Sequence, residues 1–357
     1  MAFASAASAA NTVGDTSKDV EVAELPGDSI SDLAFSPTND HLAVASWDKK
    51  VYIYEVGASG AQGKWSFEMG GPVLGCAWSA DGTRVAGAST DRSVHIVDLR
   101  QAPGGGNCQT TQVAQHDDAV KSVRWFTLNG ADYIATGSWD KTVKFWDLRS
   151  PTPAGQINAS ERVYSMDVKN DLLVVGTAER HIHVVDLKEP TKIYKTIQSP
   201  LKWQTRVVSC FTDATGFAVG SIEGRCAIQY VEDKDTALNF SFKCHRQQDP
   251  ANRDVAKVYS VNAISFHPQH GTFSTAGSDG TFHFWDKDAK HRLKGYPEAG
   301  GSITATGFNH TGNIFAYAVS YDWSKGYAFN NPQQPIKLKL HPIAPEECKP
   351  RPGGKKR

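Results

Sequence analysis

A histidine and a carboxylate are the first residues in this chain that could do chemistry. His116 and Asp140 flank the stretch VKSVRWF and close on SWD. Such a pair can move a proton, with the imidazole as base and the acid as its orienting group. Nothing supplies the rest of a catalytic apparatus. No G-x-S-x-G elbow and no H-E-x-x-H helix occurs, and no G-x-G-x-x-G follows a strand pattern. GSWDKT at 137–142 imitates the end of a phosphate loop. Asp140 stands where that loop needs glycine before Lys141, and an acid there repels phosphate. The six cysteines, at 76, 108, 210, 226, 244 and 348, never fall into C-x-x-C spacing, so neither a zinc cluster nor a redox pair is indicated. They read as buried, reduced thiols. No cofactor, no metal and no enzymatic activity is expected, and His116 with Asp140 reads instead as part of the scaffold.

The elements that hold those residues recur. Seven segments share an alternating apolar run, a second run rich in Ala and Gly, a tight acidic turn and a third alternating run. The turns read SWDKK (46–50), STDRS (89–93), SWDKT (138–142), TAERH (177–181), SIEGR (221–225), GSDGT (277–281) and SYDWS (320–324). A period of roughly 40–45 residues with this pattern is the signature of a WD-repeat β-propeller. The predicted fold is all-β, with seven blades. In the third repeat His116, Thr136, Asp140 and Trp146 stand where such blades place a hydrogen-bonded chain, and Trp285 holds the same terminal position in the sixth. The seventh repeat lacks a fourth strand, because IKLKLH (336–341) runs into a Pro-rich, charged tail. DVEVAEL (19–25) alternates and precedes the first repeat, so it is predicted to supply the missing outer strand and close the ring.

Composition agrees with one large domain. The chain has 357 residues, 40% of them hydrophobic, with 38 basic and 38 acidic residues in balance. Zero net charge excludes coating of DNA by bulk charge. No apolar run is long enough to span a bilayer, so no membrane partner is expected. Residues 1–16 read as a disordered extension, 17–343 as the propeller and 344–357 as a basic, Pro-rich tail.

Recognition must come from loops. Trp47, Trp139, Tyr321 and Trp323 fall on acidic turns, where blade packing does not require an aromatic residue. Arg162, the stretch SPLKWQTR with Trp203 and Arg206, and Arg225 of SIEGR belong to the same face. Aromatic anchors ringed by arginine suit an acidic, aromatic-containing peptide. A second, basic and aromatic set is formed by Phe242, Lys243 and Arg246 with Lys287 and Lys290. Interleaved rings and cations suit single-stranded nucleic acid.

Several stretches are more specific than any generic repeat: FKCHR (242–246), FWDKDA (284–289) and SYDWSKG (320–326). Together with QHDDAVKSVRW (115–125) and GFAVGSIEGRCAIQY (216–230), they make the chain similar to the nuclear-pore mRNA export factors of the Gle/Rae WD-repeat family, over nearly all of 17–350. The resemblance implies a non-enzymatic adaptor for poly(A) RNA export, located in the nucleus at the pore and shuttling to the cytoplasm. It implies a monomeric propeller held in a heterodimer with an FG nucleoporin through that protein's GLEBS segment. Arg225 would meet the segment's paired glutamates, with Trp47 and Trp139 flanking the groove. Single-stranded RNA would be met at Phe242, Lys243, Arg246, Lys287 and Lys290. The alternatives are the related Bub-group checkpoint propeller, which takes GLEBS segments from kinases, and a substrate receptor of a ubiquitin ligase.

Overall fold

The computed structural model describes residues 12–57, 60–252 and 254–350. The seven repeats form seven antiparallel sheets of at least four strands around a central channel, which is the predicted seven-bladed propeller. Blade one runs from the channel outward as Ile30–Phe35, His41–Ser46, Lys50–Gly57 and Gly60–Glu68. Blades two to six occupy 73–115, 120–158, 163–198, 205–243 and 261–295, and blade seven occupies 303–342.

Burial explains the composition of each strand. The second strand of a blade has neighbouring blades on both faces, so His41–Ser46 and Ile314–Val319 are buried almost throughout. Outer strands face solvent on one side and alternate, as Ile193–Gln198 does. An apolar layer fills each of the seven gaps between blades. Phe67, Val73 and Trp78 lie between blades one and two, and Phe282, Phe284, Phe315 and Tyr317 between six and seven. Each fully buried ring contributes about 1.5–3 kcal/mol. Close approach near the channel needs small residues: a Cβ at Gly137 would lie 2.8 Å from Val163 of the next blade, and one at Gly220 would lie 2.8 Å from Val261.

Closure happens as expected from 19–25. Val20–Glu21 pairs antiparallel with Lys337–Pro342, and the Val22 amide extends the ladder to the Leu338 carbonyl at 2.9 Å. Residues 20–21 and 337–342 thus share one sheet, which gives blade seven its fourth, outer strand and closes the ring. A buried polar cluster locks the seam. His341 Nδ1 is 2.6 Å from Asp19 Oδ1, its Nε2 is 3.3 Å from Glu347 Oε2, and Tyr317 donates to Asp19 at 2.5 Å.

Both ends depart from the expected boundaries. Residues 1–11 of the expected disordered extension lie outside the described residues. Thr12 and Gly14 bond the backbone of Gly295 in blade six at 2.8 Å, so ordered pairing begins before residue 17. In the expected tail, Pro345–Cys348 forms a helical turn. Cys348 is buried between blades six and seven, and its carbonyl accepts from Thr272. Residues 351–357 of the tail lie outside the described residues. Residues 102–112, at the end of blade two's third strand, pack back onto blade one. Gly106–Asn107 adds a parallel fifth strand to blade one, and the Ala102 carbonyl accepts from the Trp65 indole at 2.7 Å.

Candidate partner-binding face

The acidic turns build one face of the ring. In blades one, two and five, the carboxylate folds back on neighbouring loop backbone. Asp48 accepts from the amides of Gly27 (2.7 Å) and Lys50 (3.1 Å), Asp91 from Gly70 and Ser93, and Glu223 from Lys202. The repeated acid therefore ties the loop entering a blade to that blade's own turn. The residue after the acid takes a left-handed backbone, with φ of 75° at Lys49, 70° at Lys141, 63° at Gly224 and 73° at Gly280. In blade seven that position is Trp323, at φ 61°. A large side chain there is strained. Its indole stacks on Trp47 of blade one, with centroids 4.0 Å apart and planes 25° apart, which offsets the strain by about 0.5–1.5 kcal/mol.

Six of the eight residues assigned to peptide binding converge. Trp47, Trp139, Arg162, Arg206, Tyr321 and Trp323 line a single cavity of about 370 Å³ at the mouth of the channel. The tryptophans are half-buried rather than fully offered to solvent. Tyr321 is only 7% exposed, and its hydroxyl donates to the Gly326 carbonyl at 2.8 Å, so it shapes the blade-seven loop. Arg206 is half-buried, and its guanidinium donates to the Asp322 carbonyl at 2.9 Å. Arg225 and Trp203 stand outside the cavity on the same face. Trp203 is 61% exposed. Arg225 Nε lies 3.6 Å from Glu223, and the side chain is partly exposed.

The set assigned to nucleic acid does not form one surface. Phe242 is 3% exposed and packs 4.6 Å from the Trp285 ring, because its strand faces blade six. Lys287 is 8% exposed; its ammonium pairs with Asp288 at 2.8 Å and lies over Phe211. Arg246 spends its guanidinium on the Glu223 carbonyl, at 2.6 and 2.9 Å. Lys243 and Lys290 are exposed but lie at opposite ends of the outer strand of blade five. Lys243 pairs across from Arg225, at the mouth side, whereas Lys290 lies over Phe240 at the far end.

The scaffold network is present twice. His116 Nδ1 lies 2.8 Å from Asp140, its Nε2 lies 2.7 Å from Thr136 Oγ1, and the Trp146 indole donates to that hydroxyl at 2.8 Å. Burial works against the Asp140 charge, but bonds from His116 and Thr142 overcome it and hold the carboxyl well below its usual range. In blade six the chain runs Asp279, His245, Thr275, Trp285, with distances of 2.9 to 3.0 Å. His245 was missed as a structural residue because a hairpin, Arg246–Gln248 with Ala256–Val258, separates it from its own repeat. Lys121 and Tyr164, which also line the mouth, were missed too.

Among the described residues no cluster of His, Cys, Asp or Glu could hold a metal, and no helix is long and apolar enough to cross a membrane. All six cysteines are free, and five are buried.

Known proteins match this architecture. The WD domain, G-beta repeat profile covers residues 20–55, 64–98, 106–147 and 255–286. The chain is 61% identical to the mRNA export factor GLE2 of Chaetomium thermophilum, over 97% of this chain and 96% of that protein. It is 56% identical to the Poly(A)+ RNA export protein of Schizosaccharomyces pombe, over 98% and 97%. It is 47% identical to Protein Rae1 of Drosophila melanogaster, over 93% and 96%. Seven blades of this repeat pattern, matched along nearly their whole length at these identities, show that the chain belongs to the Gle/Rae family of WD-repeat mRNA export factors.

Proposed function

We propose that this propeller is a pore-associated adaptor for poly(A) RNA export that captures the acidic GLEBS segment of an FG nucleoporin across the channel-mouth face. The observation that carries the reading is the convergence of Trp47, Trp139 and Trp323 with Arg162 and Arg206 on one cavity. Aromatic walls with a cationic floor match a peptide that carries both apolar anchors and carboxylates. Arg225 and its cross-strand neighbour Lys243 extend the cationic track outward from the mouth. RNA is carried in a narrower form than the five-residue set: of those side chains, Lys243 alone is both exposed and on the mouth side, so RNA is met beside the bound nucleoporin. The adaptor works at the nuclear pore and passes between nucleus and cytoplasm.

Fluorescence anisotropy with a labelled GLEBS segment tests the reading. Arg225→Glu sets a like charge against the segment and is expected to cost about 2–5 kcal/mol, at least tenfold in affinity. Unchanged affinity in a folded variant removes Arg225 from the site. Copurification of a checkpoint kinase without a nucleoporin would move the chain to the checkpoint reading, and of a ligase core to the receptor reading.

A further inference from the structure

The innermost strands share a feature that packing does not require. In all seven the pairing register slips at the second residue, which leaves that residue as a β-bulge. A bulge re-aims a side chain, and here each bulged residue lines the channel mouth. One residue from every blade thus forms a ring at the throat. Ser31, Leu74 and Thr304 occupy three positions, and Lys121, Tyr164, Arg206 and Asn262 the other four. The ring contains two cations and no acid.

The channel below holds carboxylates, but they are committed. Asp32 accepts from the Cys76 amide at 3.2 Å, and Asp167 from the Cys210 amide at 2.8 Å and from Arg124 at 3.1 Å. The acid lining the mouth, Asp322, is held by Ser278, by Asn262 at 3.4 Å and by the Ser324 amide at 3.1 Å. Lys121 and Arg206 are left with backbone carbonyls: Leu74 at 3.2 Å for the ammonium and Asp322 at 2.9 Å for the guanidinium. Neither makes an ion pair among the described residues; Arg206 is near enough to repel the Lys121 ammonium, while Asp322 is the acid whose field reaches Arg206. Two desolvated like charges facing one cavity are unfavourable until an anion enters between them. Burial draws the Lys121 ammonium down to about 8; attraction from Asp32 opposes that fall, and repulsion from Arg206 and Arg124 adds to it.

We infer that the throat is an oxyanion site, built by Lys121 and Arg206, which receives a single carboxylate or phosphate group. The carboxylate would come from the peptide docked on the mouth, in which case the inference rests on the proposed function. The phosphate would come from solution and is independent of it.

The test uses the whole chain with two probes, a labelled GLEBS segment followed by anisotropy and sodium phosphate followed by calorimetry at constant ionic strength. Lys121→Met is expected to weaken the segment about tenfold or more, with Lys121→Arg restoring it to within about threefold. Arg225→Glu should lose the segment and leave any phosphate binding intact. Phosphate binding at one site in the wild type, abolished in Lys121→Met, assigns the throat to a free ion; loss of the segment alone assigns it to the peptide's carboxylate. If Lys121→Met does not fold, Lys121→Gln replaces it, since it removes the charge and keeps a polar head at the position. A folded variant that binds the segment as the wild type does, with no phosphate bound to either protein, overturns the inference. A wild type that fails to bind the segment overturns the proposed function and leaves the phosphate arm to judge the throat.

Discussion

Thr136 and Thr275 show how one hydroxyl can organise a blade. A carboxylate can only accept, so Asp140 requires the proton of His116 on Nδ1. In the neutral ring Nε2 then accepts from Thr136, whose oxygen in turn accepts from the Trp146 indole. Valine keeps the shape at that position but leaves a buried imidazole nitrogen and a buried indole N–H unpaired. Thr136→Val is expected to cost about 2–4 kcal/mol in urea unfolding. Thr275→Val should cost a similar amount if His245 serves blade six in the same way. A near-neutral Thr275→Val would mean that the His245 chain does not hold blade six together as its counterpart holds blade three.

At the scale of the element, the turns carry both stability and recognition, and blade seven separates the two. Gly224 and Gly280 hold the left-handed position without strain, whereas Trp323 holds it at φ 61° and is kept there by Trp47. Trp323→Gly loses the stack but relieves a backbone cost of about 1–2 kcal/mol. Its unfolding free energy should therefore stay within about 1 kcal/mol of the wild type, while affinity for the acidic segment falls. A large loss of stability would mean that the indole is a structural cover for the loop and not an anchor held ready for a partner.

The whole molecule depends on one seam, because a ring fails where it is joined. His341, Asp19 and Glu347 bring the third strand of blade seven, the closing strand and the C-terminal turn into one buried cluster. Burial opposes the imidazolium, but its bonds to Asp19 and Glu347 prevail and raise His341 to about 9. A group raised in the fold stabilises fully below its unfolded value near 6.5 and loses that contribution as pH climbs through about 9. Glu347, held low chiefly by His341 against the penalty of burial, gives the opposite loss in acid. Thermal melts from pH 6 to pH 10 should show stability falling on the alkaline side, and Asp19→Asn should flatten that fall. An equal alkaline slope in both proteins would take the seam out of the account.

Much of this architecture was legible in one dimension. Strand alternation, the seven acidic turns and the unpaired third strand of blade seven are local or periodic features, so the ring and its closure could be read from residue order. Trp47, Trp139 and Trp323 were identifiable because their turns recur at known places in each repeat. The throat also left a trace, since the second residue of each innermost strand can be aligned once the bulges are known. Three things required the fold. Phe242, Lys287 and Arg246 look like a surface in sequence, but which face of an outer strand meets the next blade is set by the twist and packing of neighbouring sheets. The link from His245 to Asp279 spans an inserted hairpin, which hides the repeat spacing. The meeting of Lys121 with Arg206 joins blades three and five across a channel that exists only when the ring is closed.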